Sequence, residues 1–128
     1  MEQLLYTSTA TARFAADDVF NIVMTSARNN PDREVTGFLV FADGAFLQLV
    51  EGPKERLDEL LDVLSRDPRH RDITVNSRRS VQTRSFPNWR MQRLDTSSRD
   101  SRLAVAPLRA AGLPRDLVDQ VEGFITRG

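Results

Sequence analysis

Two apolar, β-prone runs, Val35–Phe41 and Ala45–Val50, meet across Ala42-Asp43-Gly44. Asp-Gly between such runs is a strong hairpin signal, because both residues tolerate the positive φ of a tight reversing turn. A helical period and a strand flank this hairpin on each side. Upstream, Leu4–Ser8 reads as a first strand. From about Ala15, Val19, Ile22, Val23 and Ser26 recur at i, i+3, i+4 and i+7, one face of a helix. Asp17 and Asp18 suit its N-terminal dipole, and Pro31 stops it. Downstream, Gly52-Pro53 closes the hairpin's second strand, and Pro53 fits the first turn of another helix. That helix has the stripe Leu57, Leu60, Leu61, Leu64 and ends at Asp67-Pro68. Ile73–Val75 open a fourth strand that runs through a polar stretch toward Arg84, and Trp89–Leu94 form a fifth.

The order β-α-β-β-α-β-β predicts an α+β, ferredoxin-like sandwich with a mixed five-stranded sheet. Right-handed crossovers put both helices on one sheet face, with a crevice between them. The tail reads differently. Thr96–Asp100 is polar, Ser101–Ala111 forms a short helix interrupted at Pro107, and Gly112-Leu113-Pro114 breaks the chain. Leu117, Val118, Val121, Phe124 and Ile125 then give a second amphipathic helix. A sheet with one bare face would expose a large apolar patch, so the C-terminal helices are expected on the face opposite the crossover helices. The rival expectation is that they mediate dimers. Residues 1–95 therefore read as one unit and 96–128 as a helical extension.

Composition narrows the function. At ~100–200 residues per domain, this length allows one domain with a short appendage. Lysine and arginine number 18 against 18 acidic residues, so no basic excess suits nucleic acid or a membrane surface. There is no cysteine, and His70 is the single histidine. Disulfides, thiol nucleophiles and multi-histidine metal sites are excluded. Met1-Glu2-Gln3 is not a cationic leader and no apolar run approaches ~18 residues, so a soluble, cytoplasmic protein is expected.

The informative residues are polar ones that the periodicity turns inward. Asn29 and Asn30 end the first helical stripe, and Asp67 ends the second. Gln48 sits inside Ala45–Val50, and Tyr6 lies on the first strand. Leaving a buried polar group unpaired costs about 1–3 kcal/mol, so each needs a partner. Each has an ordinary reading: a backbone bond for Gln48 or Tyr6, a helix cap for Asn29-Asn30, a turn for Asp67-Pro68. Trp89 and Met91 read as core residues of one strand face. Taken together, the amides, carboxylate and phenol converge on one end of an apolar crevice. Such mixed donors and acceptors suit a planar heteroaromatic such as a flavin, and no Gly-rich phosphate loop accompanies them.

The chain resembles a BLUF domain, the flavin-based blue-light sensor. The matching segments are Leu4-Leu5-Tyr6-Thr7-Ser8, Ala27-Arg28-Asn29-Asn30-Pro31, Val35-Thr36-Gly37-Phe38-Leu39, Gly44 through Gly52, Asp67-Pro68-Arg69-His70, and Arg84 through Met91. The resemblance covers roughly residues 3 to 95. It implies that Tyr6 is the photoactive electron and proton donor and that Gln48 bridges it to the flavin N5 and O4. It implies that Asn30, with Asn29 beside it, bonds the O4/N3 edge, and that Asp67, Arg69 and His70 contact the pyrimidine edge and ribityl side. Trp89 and Met91 match the pair that relays the signal. Two positions depart from the pattern. Arg90 stands where many members carry Ser, and Val63 where some carry an arginine near flavin O2.

The implied function is a photoreceptor without enzymatic output, signalling to an unknown downstream protein and forming a homo-oligomer. FAD is the implied cofactor, with FMN or riboflavin as alternatives because most contacts fall on the ring. The other expectations are a ferredoxin-like binding or oligomerisation module that has lost light sensing, and a small flavin enzyme.

Overall fold

The computed structural model describes residues 1–10, 35–42, 44–66, 70–94 and 100–127. The first helical stripe, with Val19, Ile22, Val23, Ser26, Asn29 and Asn30, lies outside the described residues. So do Asp67, Pro68, Arg69 and the polar link 95–99.

Five strands form one sheet in the order β4-β1-β3-β2-β5. They are β1 (Glu2–Ala10), β2 (Thr36–Ala42), β3 (Ala45–Gly52), β4 (His70–Ser80) and β5 (Arg90–Arg93). The first four pair antiparallel, and β5 joins β2 in parallel. The Asp-Gly hairpin closes with Ala42 opposite Ala45, and Gly44 takes φ 75° as the turn requires.

α1 (Lys54–Arg66) follows Pro53, whose carbonyl accepts from the Arg56 and Leu57 amides at 3.0 and 3.2 Å. Leu57 is buried against Leu4, Tyr6, Val35 and Val50, with Leu60, Leu61 and Leu64 packed alongside. The outer face of α1 carries the ion pairs Lys54–Asp58, Arg56–Glu59 and Arg66–Asp62. Arg78 on β4 reaches Asp58 and Glu2, each at 2.7 Å, and so ties α1 to two strands. Lys54 and Arg78 hold the Asp58 carboxyl below its ordinary pKa through their hydrogen bonds.

The other sheet face carries α2 (Ser101–Ala110) and α3 (Arg115–Arg127). Val105, Leu108, Leu117, Val118, Val121 and Phe124 share one core with Leu5, Phe38, Val40, Leu47 and Leu49. The faces divide by strand alternation, since Leu4 and Tyr6 face α1 while Leu5 faces the tail helices. Deleting residues 96–128 would uncover Leu5, Phe38, Val40, Leu47 and Leu49. The truncated chain is expected to aggregate in size-exclusion chromatography. A monodisperse truncated chain with an unchanged melting temperature would show that the tail covers nothing essential.

Three expectations need correction. Pro107 does not interrupt α2, which runs through it from Ser101 to Ala110. The ring removes one backbone bond, and burial of Ala104, Val105 and Leu108 on the sheet offsets that loss. Asp100 caps the helix, accepting from the Arg102 amide at 2.9 Å. The fourth strand begins at His70 and ends at Ser80, short of Arg84. Beyond it the chain leaves β1, because the donors of residues 84–86 go to β3 and Thr36 instead. The first strand is also longer than Leu4–Ser8, because β4 pairs with it from Glu2 to Ala10.

Candidate functional site

β1 lies between β3 and β4, so its middle residues have a strand on each side. Alternation turns Tyr6 toward α1, where Leu4, Val50 and Leu57 surround it. Gln48 stands directly opposite Tyr6 in the β1–β3 register, and alternation with Val50 puts it on the same face. Both are buried, Tyr6 at 1% and Gln48 at 6% exposure. Ser8, also buried, pairs with Phe46 one step further along the same face.

On its other side β1 meets an irregular partner. The β1–β4 register shifts between Leu5 and Tyr6 and again between Thr7 and Thr9. Asn76 is the extra residue at the first shift, lying between Val75, opposite Tyr6, and Ser77, opposite Leu5. Asp72, at φ 53°, lies at the second. Bulges cluster at sheet edges and beside functional sites, where they twist a strand and re-aim side chains. Here two of them bracket the phenol.

The Tyr6 hydroxyl has no hydrogen-bond partner among the described residues. Burial alone pushes its ionisation far above the ordinary phenol range. The group is therefore a neutral phenol that keeps its proton against solvent base. A buried, partnerless hydroxyl beside a buried amide, in a wall of leucine and valine, fits an aromatic ligand with hydrogen-bonding edges. Among the described residues, no group of three or more His, Cys, Asp or Glu is placed to hold a metal ion.

Of the residues singled out in the sequence, the fold brings Tyr6 and Gln48 together. Trp89 is placed elsewhere. It packs on Phe86 and Phe38 at centroid distances of 4.7 and 6.2 Å, in the core shared with α2 and α3. Asn29, Asn30, Asp67 and Arg69 lie outside the described residues. His70 opens β4 opposite Ala10 and Met91 lies in β5. The side chains of both, and those of Arg90 and Val63, also lie outside the described residues.

Glu51 and Gly37 lie in segments that carry the resemblance, but the sequence alone assigns neither a role. Glu51 is a wholly buried carboxylate that accepts from the Ser85 and Phe86 amides, each at 2.8 Å. A charged residue directly after Leu49-Val50 was the available signal. Gly37 lies against the Leu49 carbonyl, and its amide donates to the Trp89 carbonyl at 2.7 Å. No helix among the described residues is long and apolar enough to cross a membrane.

Comparison with known proteins bears on the family and the fold. A family model described as sensors of blue-light using FAD matches residues 1–92. The photoactivated adenylate cyclase subunit beta of Euglena gracilis is 34% identical over 105 residues, 81% of this chain but 12% of the cyclase subunit. The chain thus spans about an eighth of that relative's length. Among solved structures, BlrB, a BLUF protein in its dark state, superposes with TM-score 0.74 at 27% identity, covering 99% of this chain and 96% of BlrB. BlrP1 of Klebsiella pneumoniae, in a calcium and cyclic-di-GMP complex, superposes with TM-score 0.83 at 26% identity, covering 98% of this chain and 34% of BlrP1. The matched family is one of blue-light sensors that use a flavin. With its α+β sheet, its buried phenol–amide pair and a family match over residues 1–92, this chain belongs to the BLUF family of blue-light sensors.

Proposed function

We propose that light is sensed at the Tyr6–Gln48 pair and passed from there to a separate protein. The observation that carries this reading is the buried Tyr6 hydroxyl, partnerless among the described residues and directly across from Gln48. In this reading α1 forms one wall of the flavin site, and the helix read from Val19 to Ser26 forms the other. That completes a ferredoxin-like arrangement with two helices on one face.

Bound flavin supplies a blue-absorbing ring that becomes a strong oxidant when excited. Tyr6 is the group that gives up an electron and then its proton. Oxidation makes a neutral phenol strongly acidic, so the proton follows the electron. Gln48 carries both a donor and an acceptor on one amide, so it could relay the proton out and back; when the electron and proton return to Tyr6, its amide would be left rotated or tautomerised. Asn29, Asn30, Asp67, Arg69 and His70 hold the ring edge and ribityl side. FAD is the flavin in this proposal, and FMN and riboflavin offer the same ring to the same residues.

Residues 1–95 act as the sensor and 96–128 as an extension that shares its core. Signalling to an effector is supported by the relatives, one of which is a photoactivated cyclase. In this chain the output is a protein contact, and the working form is a homo-oligomer. The decisive experiment is a light-minus-dark spectrum of purified protein, with extraction of its cofactor. The expected protein is yellow, yields FAD, and shows a small reversible red shift under blue light. A colourless protein that takes up no flavin on reconstitution overturns the reading and leaves a binding module that has lost light sensing.

A further inference from the structure

Glu51 stands three residues beyond Gln48 on the same strand, on the opposite sheet face, fully buried at 0% exposure. Its Oε1 accepts from the Phe86 amide at 2.8 Å. Its Oε2 accepts from the Ser85 amide at 2.8 Å and from Gln3 Nε2 at 3.4 Å. Its backbone carbonyl accepts from Arg84 Nη1 at 2.8 Å, and the same nitrogen donates to Thr36 Oγ1 at 2.9 Å. Three consecutive residues of the β4–β5 loop are therefore fastened to one residue of β3.

The fastening leads to Trp89. The Phe86 ring packs on Trp89 at 4.7 Å and on Phe38 at 5.3 Å. The Phe86 carbonyl accepts from the Trp89 amide at 3.3 Å, and the Trp89 carbonyl accepts from Gly37 at 2.7 Å, where β5 begins to pair with β2. A buried carboxylate is costly to hold in the interior, so its geometry is stiff: it persists only with its donors in place.

We propose that Glu51 is a positioning residue that couples β3, and with it Gln48, to the Trp89 segment on the far side of the sheet. A rearrangement at Gln48 that tilts β3 moves the Glu51 carboxylate, and the amides of Ser85 and Phe86 must follow it. The light-dependent part of this inference rests on the photoreceptor reading above. The tie itself does not.

Glu51→Gln is the discriminating variant. It preserves shape but turns one acceptor oxygen into an NH2 that faces a backbone N–H, so one of the two loop bonds is lost. Trp89 is the single tryptophan of the chain, so tryptophan fluorescence, excited selectively at the red edge beyond the tyrosine band, reports on it alone. Measured on the full chain, Glu51→Gln is expected to keep the amplitude of the red shift. Acrylamide quenching of Trp89 should rise about twofold and the dark-recovery rate should change by about threefold or more, as the loss of one buried hydrogen bond implies. Arg84→Gln removes the second tie, at a part-buried position, and should move both readouts the same way by less. Should Glu51→Gln not fold, Arg84→Gln carries both measurements. Unchanged quenching and recovery in the folded variants overturn the proposal, and so does altered quenching with unchanged recovery, which marks a purely structural residue. A wild type without any red shift sinks the photoreceptor reading, and dark quenching of Trp89 still decides whether the tie exists.

Discussion

Tyr6→Phe is expected to bind flavin as well as the wild type and to show no light-induced red shift at all. The ring of Tyr6 packs among Leu4, Val50 and Leu57, and phenylalanine keeps that packing. What is removed is one oxygen, the atom from which the proposed electron and proton departure proceeds. Gln48 is then left with no phenol across the strand pair to respond to. Stability should not suffer. The hydroxyl has no partner among the described residues, and deleting an unpaired buried polar group is neutral or favourable by about 1 kcal/mol. The check is a light-minus-dark spectrum alongside thermal unfolding of the flavin-free protein. A full-amplitude shift in Tyr6→Phe would remove Tyr6 from the mechanism. A large loss of stability would mean that the hydroxyl is satisfied in the folded protein.

Gly37→Ala should be strongly destabilising, the only one of Gly37, Gly44, Gly112 and Gly123 at which an added Cβ meets another atom. Gly37 adopts φ 150°, a conformation L side chains rarely take. A Cβ there would overlap the Leu49 carbonyl oxygen and stand 2.8 Å from the carbonyl carbon. Neither neighbour can yield, because both are backbone of the central strand β3. If β2 moves instead, the Gly37 amide pulls away from the Trp89 carbonyl and β5 loses its first anchor. The expected loss is about 3–5 kcal/mol. For a chain of this size that lowers the melting temperature by roughly 10–20 °C. A drop of less than about 2 °C would show that the strands can separate here without cost.

Much of the fold is legible in local pattern. The Asp43-Gly44 hairpin, the stripe of α1 and the amphipathic face of α3 follow from periods and turn chemistry confined to a few neighbouring residues. Tyr6 and Gln48 were visible for the same reason, as polar residues inside apolar β runs. Pro107 misled, because helix propensity weighs the missing backbone bond and not the burial of Val105 and Leu108. Trp89 was placed on a strand face, but its period could not say which face. Phe38 and Phe86 settle that, and they come from separate parts of the chain.

Taken alone, the sequence determined the order of the described strands and helices, the lack of cysteine, and Tyr6 and Gln48 as inward polar residues. Each of these depends on residue type or on spacing within one element. Only the tertiary structure decided that Tyr6 stands opposite Gln48, that the tail helices cover the reverse face, and that Glu51 fastens the loop before β5. Those facts depend on strand register. Register is set by contacts between residues distant in the chain, and a slip of one position would turn every side chain to the other face.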